Sequence, residues 1–517
     1  MTQNERISLP LWKKLILYFI SIIVFFIQLF LIVLVFQFNA NYSEGFNAVG
    51  YINIIVESLA VFYVLCIMRK PISTNYKLTW SILILIFPIP FMVLYTINNR
   101  SLALSQKKLS KLLKNIPKRN YNDNILDLKL IDETAYNIVN VVQKETIFSP
   151  VYKNTKFKYF KNVYDKHLDM LEELKKAKKY IFMEYFIIAQ GELMDEIISI
   201  LKIKGADGVE IKILYDDIGS YGVMKKELIE TLTNIPNLKL CNYEPIGVNF
   251  NVLVNYRDHR KITVIDGKIA YCGGDNLADE YIHKKERFGY WRDNCAKYEG
   301  MIVETFLLLF SEMWYLTTKE IIDIPKYVSN YEVEDNSYIM AFGDGPNNIN
   351  NPGYDLFLSL INSARKYIFI STPYFIVDDT LLEMLSLKAK SGVKVILLMP
   401  HIPDKKSAFY MGRERYGDIL KAGANVYEFT PGFNHAKNII VDDMYAFIGT
   451  MNMDYRSFFL HYECGAFICN SLEIYEMKND FLDAVKESNE ITYEIWKKRK
   501  WYQKLFAFLM NIFSPLF

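Results

Sequence analysis

The chain has almost no net charge. Its 517 residues carry 60 Lys and Arg against 58 Asp and Glu, for +2 at pH 7, so bulk charge gives no guide to partners. The six cysteines (Cys66, Cys241, Cys272, Cys295, Cys464 and Cys469) show no Cys-x-x-Cys and no metal-ligand spacing. That excludes the usual cysteine metal sites and reads as free thiols in a reducing compartment. Histidine is scarce, with only six in all. Aromatics are not scarce: 37 Tyr and 35 Phe suit membrane interfaces, although core packing is their commoner use. The length exceeds one ordinary domain.

Two of the few histidines head a stretch that occurs twice. His259-Arg260-Lys261-Ile262-Thr263-Val264-Ile265-Asp266 and His435-Ala436-Lys437-Asn438-Ile439-Ile440-Val441-Asp442 both read His-x-Lys-x4-Asp, and each reaches an Asn 17 residues after its His (276 − 259, 452 − 435) through a Gly-containing turn. The alternation predicts strands, and positions i and i+2 of a strand share a face. His259 therefore projects with Lys261, and His435 with Lys437. An imidazole beside a fixed ammonium suits a phosphate ester: the Lys holds an anionic oxygen while the His handles a bond or a proton. Two copies facing each other make one site, which needs no metal or cofactor. Asp266 precedes Gly267, a hairpin signal, and Asp442 stands at the equivalent place. These two Asp are chemical participants or turn residues. Asn276 and Asn452 are placed to donate to phosphate oxygens, or to shape their turns.

From residue 150 helix and strand alternate, and further blocks repeat. Ala177–Phe182 resembles Ala364–Phe369, and Gly208–Leu214 resembles Gly392–Leu398. Two copies of one α/β unit follow, at 150–335 and 336–500, with a pseudo-twofold pairing that joins the two His strands. Asp293 and Glu463 lie 34 and 28 residues downstream of the two His (293 − 259, 463 − 435). An acid bonded to the far imidazole nitrogen would fix its tautomer. Glu184, in an apolar strand, reads as a buried partner. His167, His283, His401 and His461 read as structural.

Residues 1–100 read as a membrane anchor with two or three hydrophobic segments. Leu15–Phe36 is long enough to span a bilayer. Tyr51–Met68 is shorter and holds Asn53 and Glu57. Leu78–Ile97 is broken by Pro88-Ile89-Pro90. Lys and Arg flank the first segment's start and the second's end but are absent from 39–50, and 100–120 is basic with no acidic residue. These flanks put the N-terminus, the second loop and the catalytic region in the cytoplasm, which a re-entrant third segment satisfies. Residues 101–149 read as a basic linker suited to anionic lipid heads. The 501–517 tail is amphipathic and too short to span; it is an interfacial helix or docks on the domain.

The paired motif resembles that of the phospholipase D superfamily, and its flanks resemble the bacterial cardiolipin synthase branch. The carrying stretches are Ile181–Phe186, Leu214–Ser220, Asn276–Tyr281, Tyr290–Asp293, Thr372–Phe375 and Asn452–Ser457. Asp275 departs from the pattern, where an apolar residue is expected. The resemblance implies a multi-pass enzyme of the bacterial cell membrane. It would join two phosphatidylglycerol molecules into cardiolipin and glycerol through a phosphohistidine, with His259 as nucleophile and His435 as acid–base. It also favours Glu463 over Asp293 as the imidazole partner. The rivals are a phospholipase D-type hydrolase of phospholipid or nucleic acid and an inactive scaffold binding anionic lipid. The membrane segments argue against nucleic acid as a partner, and the intact His and Lys pairs against the scaffold.

Overall fold

The computed structural model describes residues 48–70, 73–96, 122–146, 148–153, 155–244, 256–331, 333–348 and 350–516. The first apolar segment, Leu15–Phe36, and most of the basic run at 100–120 lie outside them. The chain divides into two compact units, one holding the N-terminal helices and one holding both repeats.

In the N-terminal unit, helix Ala48–Met68 contains the one stretch among the described residues long and apolar enough to cross a membrane, Tyr51–Met68. The third segment is no straight helix. Helix Thr74–Ile86 ends at Phe87, and a second helical stretch runs over 88–96. Pro88 lacks the N–H that would continue the first helix, and its fixed φ suits the start of the next. The chain reverses there: Trp80 and Tyr95 bring their ring centroids to 5.2 Å, whereas 15 residues of straight helix would span about 22 Å.

The second unit is built on two sheets. The first half supplies β1 (Lys156–Phe160), β2 (Tyr180–Tyr185), β3 (Glu210–Asp216), β4 (Leu238–Tyr243), β5 (Lys261–Ile265), β6 (Ile269–Gly273), β7 (Tyr290–Arg292) and β8 (Cys295–Glu299). The second supplies β9 (Tyr338–Asp344), β10 (Tyr367–Ser371), β11 (Phe375–Ile376), β12 (Lys394–Pro400), β13 (Asn425–Phe429), β14 (Gly432–Asn434), β15 (Asn438–Val441), β16 (Tyr445–Gly449), β17 (Met453–Asp454), β18 (Glu463–Cys469) and β19 (Ser488–Glu490). The sheet orders are β1-β8-β6-β5-β2-β3-β4 and β9-β18-β16-β15-β10-β12-β13-β19. Strand for strand these are the same order, with β19 added at one edge. In both, the three-strand parallel block (β2, β3, β4 or β10, β12, β13) joins antiparallel strands beginning with the His-x-Lys strand.

β2, β5, β10 and β15 are buried along their whole length. This fits their near-continuous apolar runs, because strands covered on both faces need no polar alternation. One core cluster takes residues from both halves, among them Phe182, Ile262 and Ala270 with Phe369, Ile440 and Ala446, and includes helix Val303–Thr318. Where β6 meets β18, Cys272 Sγ and Cys464 Sγ are 3.5 Å apart.

The sequence-based linker at 101–149 is too long at its C-terminal end. Helices Asn122–Ile131 and Glu133–Glu145 bury Leu128, Ala135, Ile138, Val139 and Val142 in the second half's core. Asp132 caps the second of them, accepting from Ala135 N at 2.9 Å. The 501–517 tail forms helix Trp501–Ile512, packed on helix Lys406–Lys421.

Candidate active site

Each His-x-Lys strand is led in by a pairing with the other half. Asp258 bridges Tyr462, and His259 N donates to Tyr462 O at 2.9 Å. Symmetrically, β14 pairs in parallel with β7, and His435 N donates to Arg292 O at 2.7 Å. The residue after each acceptor is an acid, Glu463 or Asp293. The acids therefore reach the histidine of the opposite half. His259 Nδ1 lies 2.9 and 3.0 Å from the two Glu463 carboxylate oxygens, and His435 Nδ1 lies 2.6 Å from Asp293 Oδ2. Both acids bond an imidazole, whereas the family resemblance favoured Glu463 alone. The unequal spacings of 34 and 28 residues reflect a longer loop between β6 and β8, because the pairs Gly273–Cys295 and Gly449–Gly465 occupy the same register.

An ionised carboxylate only accepts, so each Nδ1 carries the proton and each Nε2 keeps its lone pair. Lys261 and Lys437 each donate from Nζ to the carbonyl of their own histidine, Lys261 at 2.6 Å. All four side chains are buried. Burial is the main reason that both imidazoles sit below their ordinary pKa, His259 well below and His435 at about 4, with Lys261 and Lys437 next to His259 and Lys437 next to His435 adding to it. Burial likewise lowers Lys437 to about 7. This is a desolvated cluster of groups made to carry positive charge, the environment in which an anion is held most strongly.

Supporting residues differ between the halves. Behind His259, Asp216 accepts from Asp258 N at 3.0 Å and from Arg257 at 2.8 Å. Behind His435, Arg292 donates to Asn434 Oδ1 at 2.9 Å, and Asn434 donates to Ser371 Oγ at 3.0 Å. The position of Ser371, opposite the residue after the motif Lys, is filled in the first half by Glu184. Glu184 is buried, as its apolar strand suggested, with the Asp258 carboxyl as a neighbouring charge. Burial raises the pKa of both carboxyls, and the Asp258 charge adds to the rise at Glu184.

Asp266 and Asp442 are not at the site, which corrects their placement with the catalytic residues. They lie at the far end of β5 and β15, roughly 16 Å along the strand from Lys261 and Lys437. Asp266 accepts from the backbone N–H of Lys178, Lys179 and Tyr180 at 2.8, 2.8 and 2.9 Å. Asp442 accepts from those of Arg365, Lys366 and Tyr367 at 2.6, 2.9 and 2.7 Å. Both adopt positive φ in their hairpins, 53° and 55°. They are clamps that tie each hairpin to the start of β2 or β10.

Asn276 is occupied by the fold, accepting from Ile187 N at 3.0 Å and donating to Tyr281 OH at 2.6 Å. Asn452 is buried, and its Oδ1 has no hydrogen-bond partner among the described residues. The aberrant Asp275 is neutralised by Lys166 at 2.8 Å, so it adds no net charge. His167 pairs with Glu196 and His401 with Glu428, and His283 stacks on Tyr290, all structural as expected. His461 lies at the site, its ring centroid 5.5 Å from that of His259. Nothing but its place two residues before Glu463 marked it. His259, His461 and Glu463 have ligand atoms within 4.8 Å of one another, a spacing a metal ion fits. The Glu463 carboxylate is already bonded to His259 Nδ1, however, and the neighbouring lysines oppose a cation.

Two α/β repeats that share paired, trans-supported His-x-Lys strands define a phospholipase D-like protein. The family model described as "Cardiolipin synthase, PLD-like domain" matches residues 170–288 and 357–485. A cardiolipin synthase of Halalkalibacterium halodurans is 32% identical over 483 residues, 90% of this chain and 94% of its own length. An uncharacterized protein of Streptococcus mutans is 38% identical over 460 residues, 88% of this chain and 99% of its own. Phosphatidylserine synthase of Haemophilus influenzae shares the fold, at TM-score 0.56 and 14% identity over 74% of this chain and 98% of its own. The chain belongs to the cardiolipin synthase family.

Proposed function

We propose that the protein condenses two phosphatidylglycerol molecules into cardiolipin and glycerol at the membrane. The single supporting observation is the pair of imidazoles, each with Nδ1 held by a carboxylate and Nε2 left for reaction, inside one buried cluster with Lys261 and Lys437. In the first step the neutral His259 Nε2 attacks phosphorus and the P–O bond to glycerol breaks. His435, protonated once the phosphodiester anion is bound, gives its Nε2 proton to the leaving oxygen, and Asp293 stabilises that charged form. In the second step His435 removes the proton from a primary hydroxyl of the second phosphatidylglycerol. That oxygen attacks phosphorus and His259 is released. Lys261 and Lys437 balance charge on the non-bridging oxygens.

The flanking charges favour a cytoplasmic catalytic unit, and the chain reversal at Pro88 suits a re-entrant third segment. Purified protein in detergent with phosphatidylglycerol should yield cardiolipin and glycerol by mass spectrometry. Phosphatidic acid as the dominant product would replace this reading with hydrolysis.

A further inference from the structure

Helix Trp501–Ile512 is amphipathic, but both of its faces are apolar in part. One face docks on the catalytic unit. Ala507 is buried, and Met510 packs on the cluster of Ile376, Met411 and Tyr455. The turn before the helix is fixed as well: Trp496 Nε1 donates to Arg413 O at 2.6 Å and Arg499 pairs with Glu414 at 2.9 Å. The other face carries Trp501, Leu505, Phe508, Leu509 and Ile512, at the i, i+4, i+7, i+8 and i+11 spacing of one helical stripe. All five are exposed, Trp501 by 75% and Phe508 by 63%. A contiguous apolar stripe of this size on a helix already held in place marks an interaction surface.

Its chemistry selects one occupant. Lys497, Lys498 and Lys500 are exposed at the head of the stripe, and no Asp or Glu follows Glu494. Trp501 and Tyr502 stand between these cations and the aliphatic residues. Cations, then amphipathic rings, then hydrocarbon is the order met on passing from anionic headgroups into a bilayer. A second protein surface would have no need of that order.

The position selects a purpose. The helix packs on Lys406–Lys421, whose first turn follows Lys405, one of the cations that depress His259. Tyr455, in contact through the Met510 cluster, lies three residues beyond Asn452. We infer that the exposed face of helix Trp501–Ile512 docks on an anionic bilayer surface and holds the two-histidine site beside its lipid substrates. The docking is a property of the helix; its purpose rests on the proposed lipid reaction.

The test uses the full chain in proteoliposomes of phosphatidylglycerol and phosphatidylcholine. A bimane label is placed at Phe508→Cys, with the labelled parent as blank. Brominated lipid should quench the label at least twofold, and less so when the vesicles lack phosphatidylglycerol. The double variant Leu505→Ser/Phe508→Ser should lose about tenfold in activity on bilayer phosphatidylglycerol. On monomeric short-chain phosphatidylglycerol it should stay within twofold of wild type. An unquenched label, or quenching that tracks protein concentration rather than lipid, overturns docking in favour of solvent or a second copy. Equal loss on both substrates overturns the positioning role. The quenching arm needs no turnover, so absence of cardiolipin from the wild type would count against the proposed reaction alone.

Discussion

Asp293 and His435, 142 residues apart and on opposite repeats, share a hydrogen bond of 2.6 Å. Glu463 and His259 repeat the relationship in the other direction at 2.9 Å. Neither repeat holds both members of an imidazole–carboxylate pair. An amide at either acid keeps the shape but no longer demands a proton on Nδ1 or stabilises an imidazolium. Asp293→Asn and Glu463→Gln should therefore each lower turnover by about 10²–10⁴-fold. Vesicle binding should be unchanged. A loss under tenfold in either variant would show that its histidine works without its acid.

The repeat was legible because His-x-Lys-x4-Asp, the apolar strands and the Gly-Val-x-Ile/Val blocks all recur in register. That His259 projects with Lys261, and His435 with Lys437, followed from strand alternation. What sequence could not carry was reach across the halves. Counting downstream from each His pairs His259 with Asp293 and His435 with Glu463, whereas the fold exchanges them through the Tyr462–Asp258 and β7–β14 pairings. Motif membership also misled at Asp266 and Asp442, since a fixed spacing along a strand says nothing about which end holds the chemistry. Residues 122–145 passed for linker because their apolar positions lie next to a basic run.

The two clamp aspartates give a prediction of the opposite kind. Asp266→Ala strips the acceptor from three backbone N–H groups, at a cost of about 1–3 kcal/mol. The Tm in detergent should fall, and turnover per folded molecule should stay within about threefold. A hundredfold loss of turnover at unchanged Tm would return Asp266 to the chemistry.

Lys437 links pH to both binding and stability. Burial lowers it from its ordinary value to about 7, so between there and roughly pH 10 the unfolded chain binds a proton that the folded chain does not. Stability contributed by this group therefore rises with pH through that window. The Tm difference between wild type and Lys437→Met should shift in favour of wild type from pH 7 to 9. Over the same range KM for phosphatidylglycerol should rise in wild type, as the neutral amine stops attracting phosphate. A flat Tm difference would mean that Lys437 stays charged in the folded apo-protein.

Glu184 and Asp258 are neighbouring buried carboxyls, and burial favours the protonated form of both. Glu184→Gln or Asp258→Asn replaces one carboxyl by an amide and leaves the other near Arg260. Each single variant should keep activity within about fivefold. Glu184→Gln/Asp258→Asn removes the charge altogether, and leaving the buried Arg260 guanidinium with less compensation should cost about 1–3 kcal/mol. Severe loss in either single amide would mean that both carboxyls are ionised.

The unequal tasks of the two histidines yield the sharpest prediction. A phosphodiester exchange needs one group bonded to phosphorus and another that moves the proton, and both imidazoles sit in one cluster. Losing acid–base help costs about 10²–10⁴-fold, and losing the nucleophile closes the covalent route. His259→Ala and His435→Ala should each be nearly inactive, and the double variant little worse, because groups acting as a unit are not additive. Two independent sites would instead leave each single variant about half active. Burial holds both imidazoles below their ordinary pKa, which suits a group that must attack in its neutral form. Acid quench with labelled phosphatidylglycerol should place the label on His259 in the wild type. His435→Ala should still accumulate some of it whenever the leaving oxygen finds a proton from water. Label on His435 alone would reverse the two roles, and inversion at phosphorus without trapped label would remove the covalent intermediate.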